Sequence, residues 1–126
     1  MLKVDPSSPL PPFEQVRAQI ATMISAGVLT EGTRVPTIRQ LAKDLGLASG
    51  TVARSYRELE LSGLLIPRGR HGTFVAPVPD RMRRRSEVEG LLAGPAQTFA
   101  MQARQLGVDA TKALEIVRKA FDGPVA

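Results

Sequence analysis

The chain contains no cysteine and no tryptophan, and only one tyrosine, four phenylalanines and one histidine. Without cysteine there is no disulfide framework and no thiolate metal site, and a reducing, cytoplasmic setting is expected. A lone His71 with no second ligand beside it gives no reason to expect a metal, and no cofactor motif is present. With no thiol, one imidazole and no convergent carboxylates, the chain is not expected to be an enzyme. No apolar run approaches the roughly 18 residues that span a bilayer. The opening MLKVDPSSPLPP lacks the apolar centre of a secretory signal. A soluble, unprocessed protein with no membrane partner is expected.

The 126 residues have room for one domain and a small appendage. With 43% hydrophobic residues and 4% aromatics, the core must come from Leu, Val, Ile and Ala. The net charge of +5 favours a polyanionic partner without choosing its kind. The first 79 residues carry nine Lys/Arg against six Asp/Glu, and the other 47 carry eight against six. The excess is thus shared, and its placement decides its meaning.

Helical spacing begins after the Pro-rich stretch 7–12, with Phe13, Val16, Ile20, Met23 and Ile24 on one stripe and Gly27 as the stop. Residues 28–35 read as a connector with a Glu31-Gly32 turn. Thr37 and Gln40 fit a capping box for a second helix, whose buried stripe is Ile38, Leu41, Ala42 and Leu45 and whose stop is Gly46. Ser49 is the expected cap of a third helix, with Val52, Tyr56 and Leu59 inward and Gly63 as its end. Residues 64–66 and 73–75 are short β-prone runs around Pro67-Arg68-Gly69-Arg70-His71-Gly72, which predicts a hairpin.

From Asp80 onward the character changes. Arg81, Arg83, Arg84 and Arg85 crowd together, either as an exposed helix start or as a second phosphate contact. Apolar spacing resumes at Val88, Leu91, Leu92, Ala96, Phe99, Ala103 and Leu106 and stays in phase across Gly94-Pro95, which favours one kinked helix over two. Asp109 caps a last helix carrying Ala113, Leu114, Val117 and Phe121, and residues 123–126 are expected to fray.

The predicted fold is mainly α with a small β-hairpin wing: a winged helix-turn-helix over residues 1–78 and a short helical dimerisation region over 79–126. The start of the third helix suits a duplex. Ser49, Gly50 and Thr51 are small, so backbone and helix dipole can approach phosphate, and Arg54 lies one turn on, within reach of a guanine edge. Arg39 sits in the first turn of the second helix, and Arg70 and His71 sit at a Gly-bounded tip suited to a minor groove. Each has a plainer reading: Arg54 and Arg57 as solvated helix charges near Glu58 and Glu60, Arg70 and His71 as a solvated turn. Tyr56 is in phase with the core.

The PPFEQV start, the GVLTEGTRVPTIRQLAKDLG block, the TVARSYRELELSG helix and the GRHGTFV wing follow in order from Leu10 to Val75. Together they resemble bacterial GntR-type transcription regulators, in particular the short YtrA-like branch. The resemblance implies a sequence-specific DNA-binding regulator, a homodimeric repressor on an inverted-repeat operator in double-stranded DNA, often of transporter genes. Carried over, Arg39 contacts DNA, Thr37 contacts phosphate while capping its helix, Thr51 and the residues just before it meet bases or phosphates, and Gly72 shapes the wing. Arg34, from the same block, joins the DNA-facing candidates. Where the family commonly carries Arg shortly before the Thr-Val pair, this chain has Ser49 and Gly50, so Arg54 is the expected substitute reader.

Val88, Leu91, Leu92, Phe99, Leu106, Leu114, Val117 and Phe121 are the expected dimer contacts, since so small a tail buries its stripes poorly alone. The length implies neither the large effector domain of other branches nor a fused aminotransferase. A possible small-molecule effector, its identity unknown, would have only the seam around Phe99, Met101 and Leu106, which reads as packed core. The alternative function is a winged-helix interaction module that never touches DNA. Such a module needs an exposed apolar recognition face, whereas Gly50, Ala53, Arg54 and Arg57 supply a polar one.

Overall fold

Proline at the first helical position costs nothing, because that N–H has no partner in any helix. Accordingly helix α1, Pro12–Ser25, opens on Pro12 and buries Gln15, Val16, Ile20 and Ile24. The computed structural model describes residues 2–123, so the end of the tail expected to fray, 124–126, lies outside the described residues. Helix α2, Ile38–Leu45, starts at Thr37, whose Oγ1 accepts the Gln40 N–H at 3.1 Å. The expected capping box has only this arm. Gln40 Nε2 instead donates to Asp44 Oδ1 at 2.7 Å, one helical turn further along. Gly46 closes the helix in the left-handed region at φ 67°.

Helix α3, Ser49–Leu61, corrects one expectation. Its cap position is Ala48, with no side-chain cap, and Ser49 is its first helical residue. The turn is tighter than expected because the Leu47 N–H returns to Ala42 O at 2.9 Å, leaving only Ala48 extended. Val52, Tyr56 and Leu59 enter one core with Val16, Ile20 and Ile24 of α1, with Val35, with Leu41 and Ala42 of α2, and with Leu65 and Val75 of the hairpin. Truncating fully buried Leu59 to Ala would remove about 2–5 kcal/mol.

Strands β1, Leu65–Pro67, and β2, Thr73–Val75, pair antiparallel with Leu65 opposite Val75 and Pro67 opposite Thr73. A single 3₁₀ turn, Gly69–His71, joins them. Residues 32–35, read from sequence as a plain connector, extend this pairing. The Gly32 N–H donates to Val75 O, the Val75 N–H to Thr33 O at 2.8 Å, and the Val35 N–H to Thr73 O at 2.9 Å. The wing is thereby held to the residues that lead into α2.

The N-terminal residues lie along α1. Gln19 accepts the Lys3 N–H at 3.0 Å and donates to Lys3 O at 2.6 Å, and Gln15 does the same for Asp5 at 2.8 and 3.0 Å. Two side-chain amides four residues apart thus act as the edge of a neighbouring strand. Leu2 and Val4, which alternate with the bonded residues, pack on the core.

Helix α4, Val78–Gln105, runs without interruption through Gly94-Pro95, as the in-phase stripe predicts. The chain forms two compact units, one ending at Ser86 and the other beginning at Glu87, so the first turns of α4 belong to the first. There Arg84 Nε donates to Leu61 O at 2.8 Å, and a Cβ on Gly63 would stand 2.6 Å from Arg84 Cβ. The second unit holds the rest of α4 and helix α5, Ala110–Asp122, capped by Asp109 Oδ1 on the Lys112 N–H at 2.9 Å. Among its described residues only Ala103 is buried. No helix among the described residues is long and apolar enough to cross a membrane.

Candidate nucleic-acid interface

The start of α3 is exposed at Ser49 and Gly50 and partly exposed at Thr51. The first four N–H groups of a helix lack intrahelical partners. Here the Thr51 N–H turns back to Ala48 O at 3.1 Å, and the cap position makes no side-chain hydrogen bond to the helix end. Gly50 meets nothing where a Cβ would stand. The end therefore presents backbone donors and the positive end of a dipole without a bulky screen, which is what a phosphate requires.

Tyr56 and Ser55 hold this helix in place from behind. Tyr56 Oη donates to Pro36 O at 2.6 Å, immediately before the Thr37 cap of α2. Burial pushes its phenol up to about 12. Fully buried Ser55 places Oγ 2.7 Å from Phe13 O in α1. The helix that offers its tip is thus bonded to α1 and to the residue that leads into the α2 cap.

The expected contact residues all fall in the first unit. Arg39 is exposed in the first turn of α2, and Thr37 is exposed although its hydroxyl oxygen is already an acceptor. Arg70 and His71 are exposed on the 3₁₀ turn at the wing tip. Gly72 takes φ 105°, a region that favours glycine, and a Cβ there would stand 2.7 Å from Arg34 Nε. Arg34 and Gly72 are therefore brought together, with Arg34 bridged to Phe74 of the wing. Arg57 is exposed on α3. Arg54 is not presented in the same way: its Nε donates to Glu58 Oε2 at 3.2 Å and its Cζ lies 3.7 Å from the centroid of the Phe13 ring. Arg68, absent from the expected contacts, is an exposed cation in the same wing loop. Phe13 as the partner of Arg54 was not foreseeable, since nothing local links residues 41 positions apart.

The expected pairing residues lie in the second unit. Leu91, Leu92, Leu106, Leu114 and Phe121 are exposed, and Val88, Phe99 and Val117 are half-buried. Met101 and Leu106, expected at the seam between two copies, are exposed within one chain, Leu106 at 80%. Two helices joined by a short turn have no third layer to cover both faces.

Three helices, the last with an open tip, followed by a cationic two-stranded wing, define the winged helix-turn-helix class of DNA-binding proteins. Residues 12–75 match the model of bacterial regulatory proteins of the gntR family, and the chain belongs to that family. It is a DNA-binding transcription regulator and not an enzyme. Its relatives include the HTH-type transcriptional regulator Rv1152 of Mycobacterium tuberculosis, 40% identical over 90% of this chain and 88% of that protein. The HTH-type transcriptional repressor YtrA of Bacillus subtilis is 27% identical over 87% of this chain and 78% of its own length. Among solved structures, AraR(DBD) in complex with operator ORX1 shares 31% identity, covers 60% of this chain and 93% of that one, and gives a TM-score of 0.53.

Proposed function

We propose that this regulator is a cytoplasmic repressor that binds an inverted repeat in double-stranded DNA as a homodimer. The observation that carries the reading is the exposed, uncapped start of α3 in the same unit as a wing that exposes Arg68, Arg70 and His71. Ser49, Gly50 and Thr51 approach the groove floor, Arg57 reaches a base edge or phosphate, and Arg39 and Thr37 meet the backbone beside the groove. Arg70 and His71 follow the backbone into the adjoining minor groove, with Arg34 and Gly72 fixing the root of the wing.

The region up to residue 78 serves the duplex and the region from 79 pairs two copies. Support for pairing comes from the apolar side chains that the second unit leaves uncovered. Support for repression comes from the relative named as a repressor, and support for operator DNA from the AraR complex. Two copies would set their α3 tips on half-sites about one helical turn, or a multiple of it, apart.

Selection of bound duplexes from a random pool tests the reading: an inverted repeat is expected. Affinity for that repeat should fall steeply with salt, by a log–log slope of about 0.9 per phosphate neutralised. Recovery of unrelated sequences, or an affinity indifferent to salt, would overturn it.

A further inference from the structure

The two arginines of α3 have different surroundings. Arg57 is exposed. Arg54 has one face of its guanidinium against the Phe13 ring, 3.7 Å from its centroid, and its Nε edge on Glu58. Bidentate reading of guanine needs two N–H groups in the plane of the base; the stack on Phe13 fixes the plane of this guanidinium, and approach along its Nε edge would have to break the Glu58 pair. The next residue, Ser55, grips the same Phe13 through its carbonyl oxygen at 2.7 Å. Consecutive residues of α3 therefore hold a single residue at the start of α1, one by its ring and one by its backbone.

We propose that Arg54 is a positioning residue and not a base reader: it clamps α3 to Phe13 and so sets the angle at which Ser49, Gly50 and Thr51 meet the groove. This assignment rests on the duplex-binding reading above. It makes Arg57 the arginine of α3 that contacts the duplex.

The test uses the full chain and the best duplex that the wild type selects. Arg54→Ala and Phe13→Leu should each weaken binding about three- to tenfold, the range of one cation–π contact. The double variant should be no weaker than either single one. Phe13→Tyr, which keeps the ring, should bind like the wild type. Arg54→Lys, which keeps the charge without the planar face, should behave like Arg54→Ala. The selected sequence and the salt slope should be unchanged in Arg54→Ala, whereas Arg57→Ala should lower the slope by about one. Circular dichroism separates loss of fold from loss of aim. Should Phe13→Leu unfold, Phe13→Tyr, Arg54→Lys and the salt slopes still decide. Relaxed preference at one base pair in Arg54→Ala alone, additive losses, or a reduced slope in Arg54→Ala would make it a direct contact and overturn the assignment. If the wild type selected no duplex, the duplex-binding reading would fall first and this one with it.

Discussion

Helix α2 starts with a hydroxyl that satisfies one of its free N–H groups, while α3 starts with the methyl of Ala48. Installing a cap should therefore separate stability from function. Ala48→Ser should stabilise the free protein by about 1 kcal/mol, seen as a higher melting temperature. Binding of the selected duplex should weaken about fivefold, because phosphate must then displace the new hydroxyl. Unchanged affinity in a duplex titration would remove phosphate from the tip. Tyr56 allows a pH prediction. Its phenol, raised from 10.0 to about 12 by burial, favours the native state while protonated. That contribution is complete below pH 10 and is lost as the pH rises through 12, roughly 2–3 kcal/mol in all. Tyr56→Phe should cost about 1–3 kcal/mol at neutral pH by leaving Pro36 O unpaired, and should flatten the alkaline limb in urea titrations. At this scale the sequence showed Tyr56 as core and Thr37 as a cap, both from spacing alone. It could not show that Arg54 meets Phe13, because a guanidinium one turn into a helix looks the same whether it faces water or a distant ring.

Glycine punctuation made the helices legible: Gly27, Gly46 and Gly107 all follow helix ends at positive φ. Their roles nevertheless differ by what surrounds them. Gly46 has open space where a Cβ would go, so Gly46→Ala should cost about 1–2 kcal/mol, the left-handed penalty alone. At Gly63, φ is 81° and the added carbon would meet Arg84 Cβ at 2.6 Å, too near the α4 backbone to swing away. Gly63→Ala should therefore cost distinctly more than Gly46→Ala, with the difference read from urea midpoints; equal costs would mean that the root of α4 yields freely. What stayed illegible was pairing between elements. Residues 32–35 are too short for an alternating pattern to register, yet they bond along β2. Nothing in the spacing marks Gln15 and Gln19, and only the chain folding back shows that they bond Asp5 and Lys3 respectively. The cap of α3 was misplaced by one residue because Leu47 is consumed in closing α2.

For the whole molecule, the +5 charge told little until the cations were placed, whereas the apolar stripe of the tail was legible from spacing and is exposed in one chain. A stripe that periodicity can find and two helices cannot cover needs something else to cover it. Leu114 is 66% and Phe121 84% exposed in one chain, so polar replacements there should hardly disturb a lone copy. Leu114→Asp should keep the far-ultraviolet spectrum, sediment as a monomer, and lose at least about a hundredfold in affinity for the inverted repeat while still binding one half-site weakly. A dimer persisting in Leu114→Asp would move the pairing surface elsewhere. If two copies pair through these exposed side chains as proposed, the regulator's own abundance also becomes a signal. At low copy number, halving such a protein would then cut promoter occupancy roughly fourfold, a threshold response arising from mass action alone.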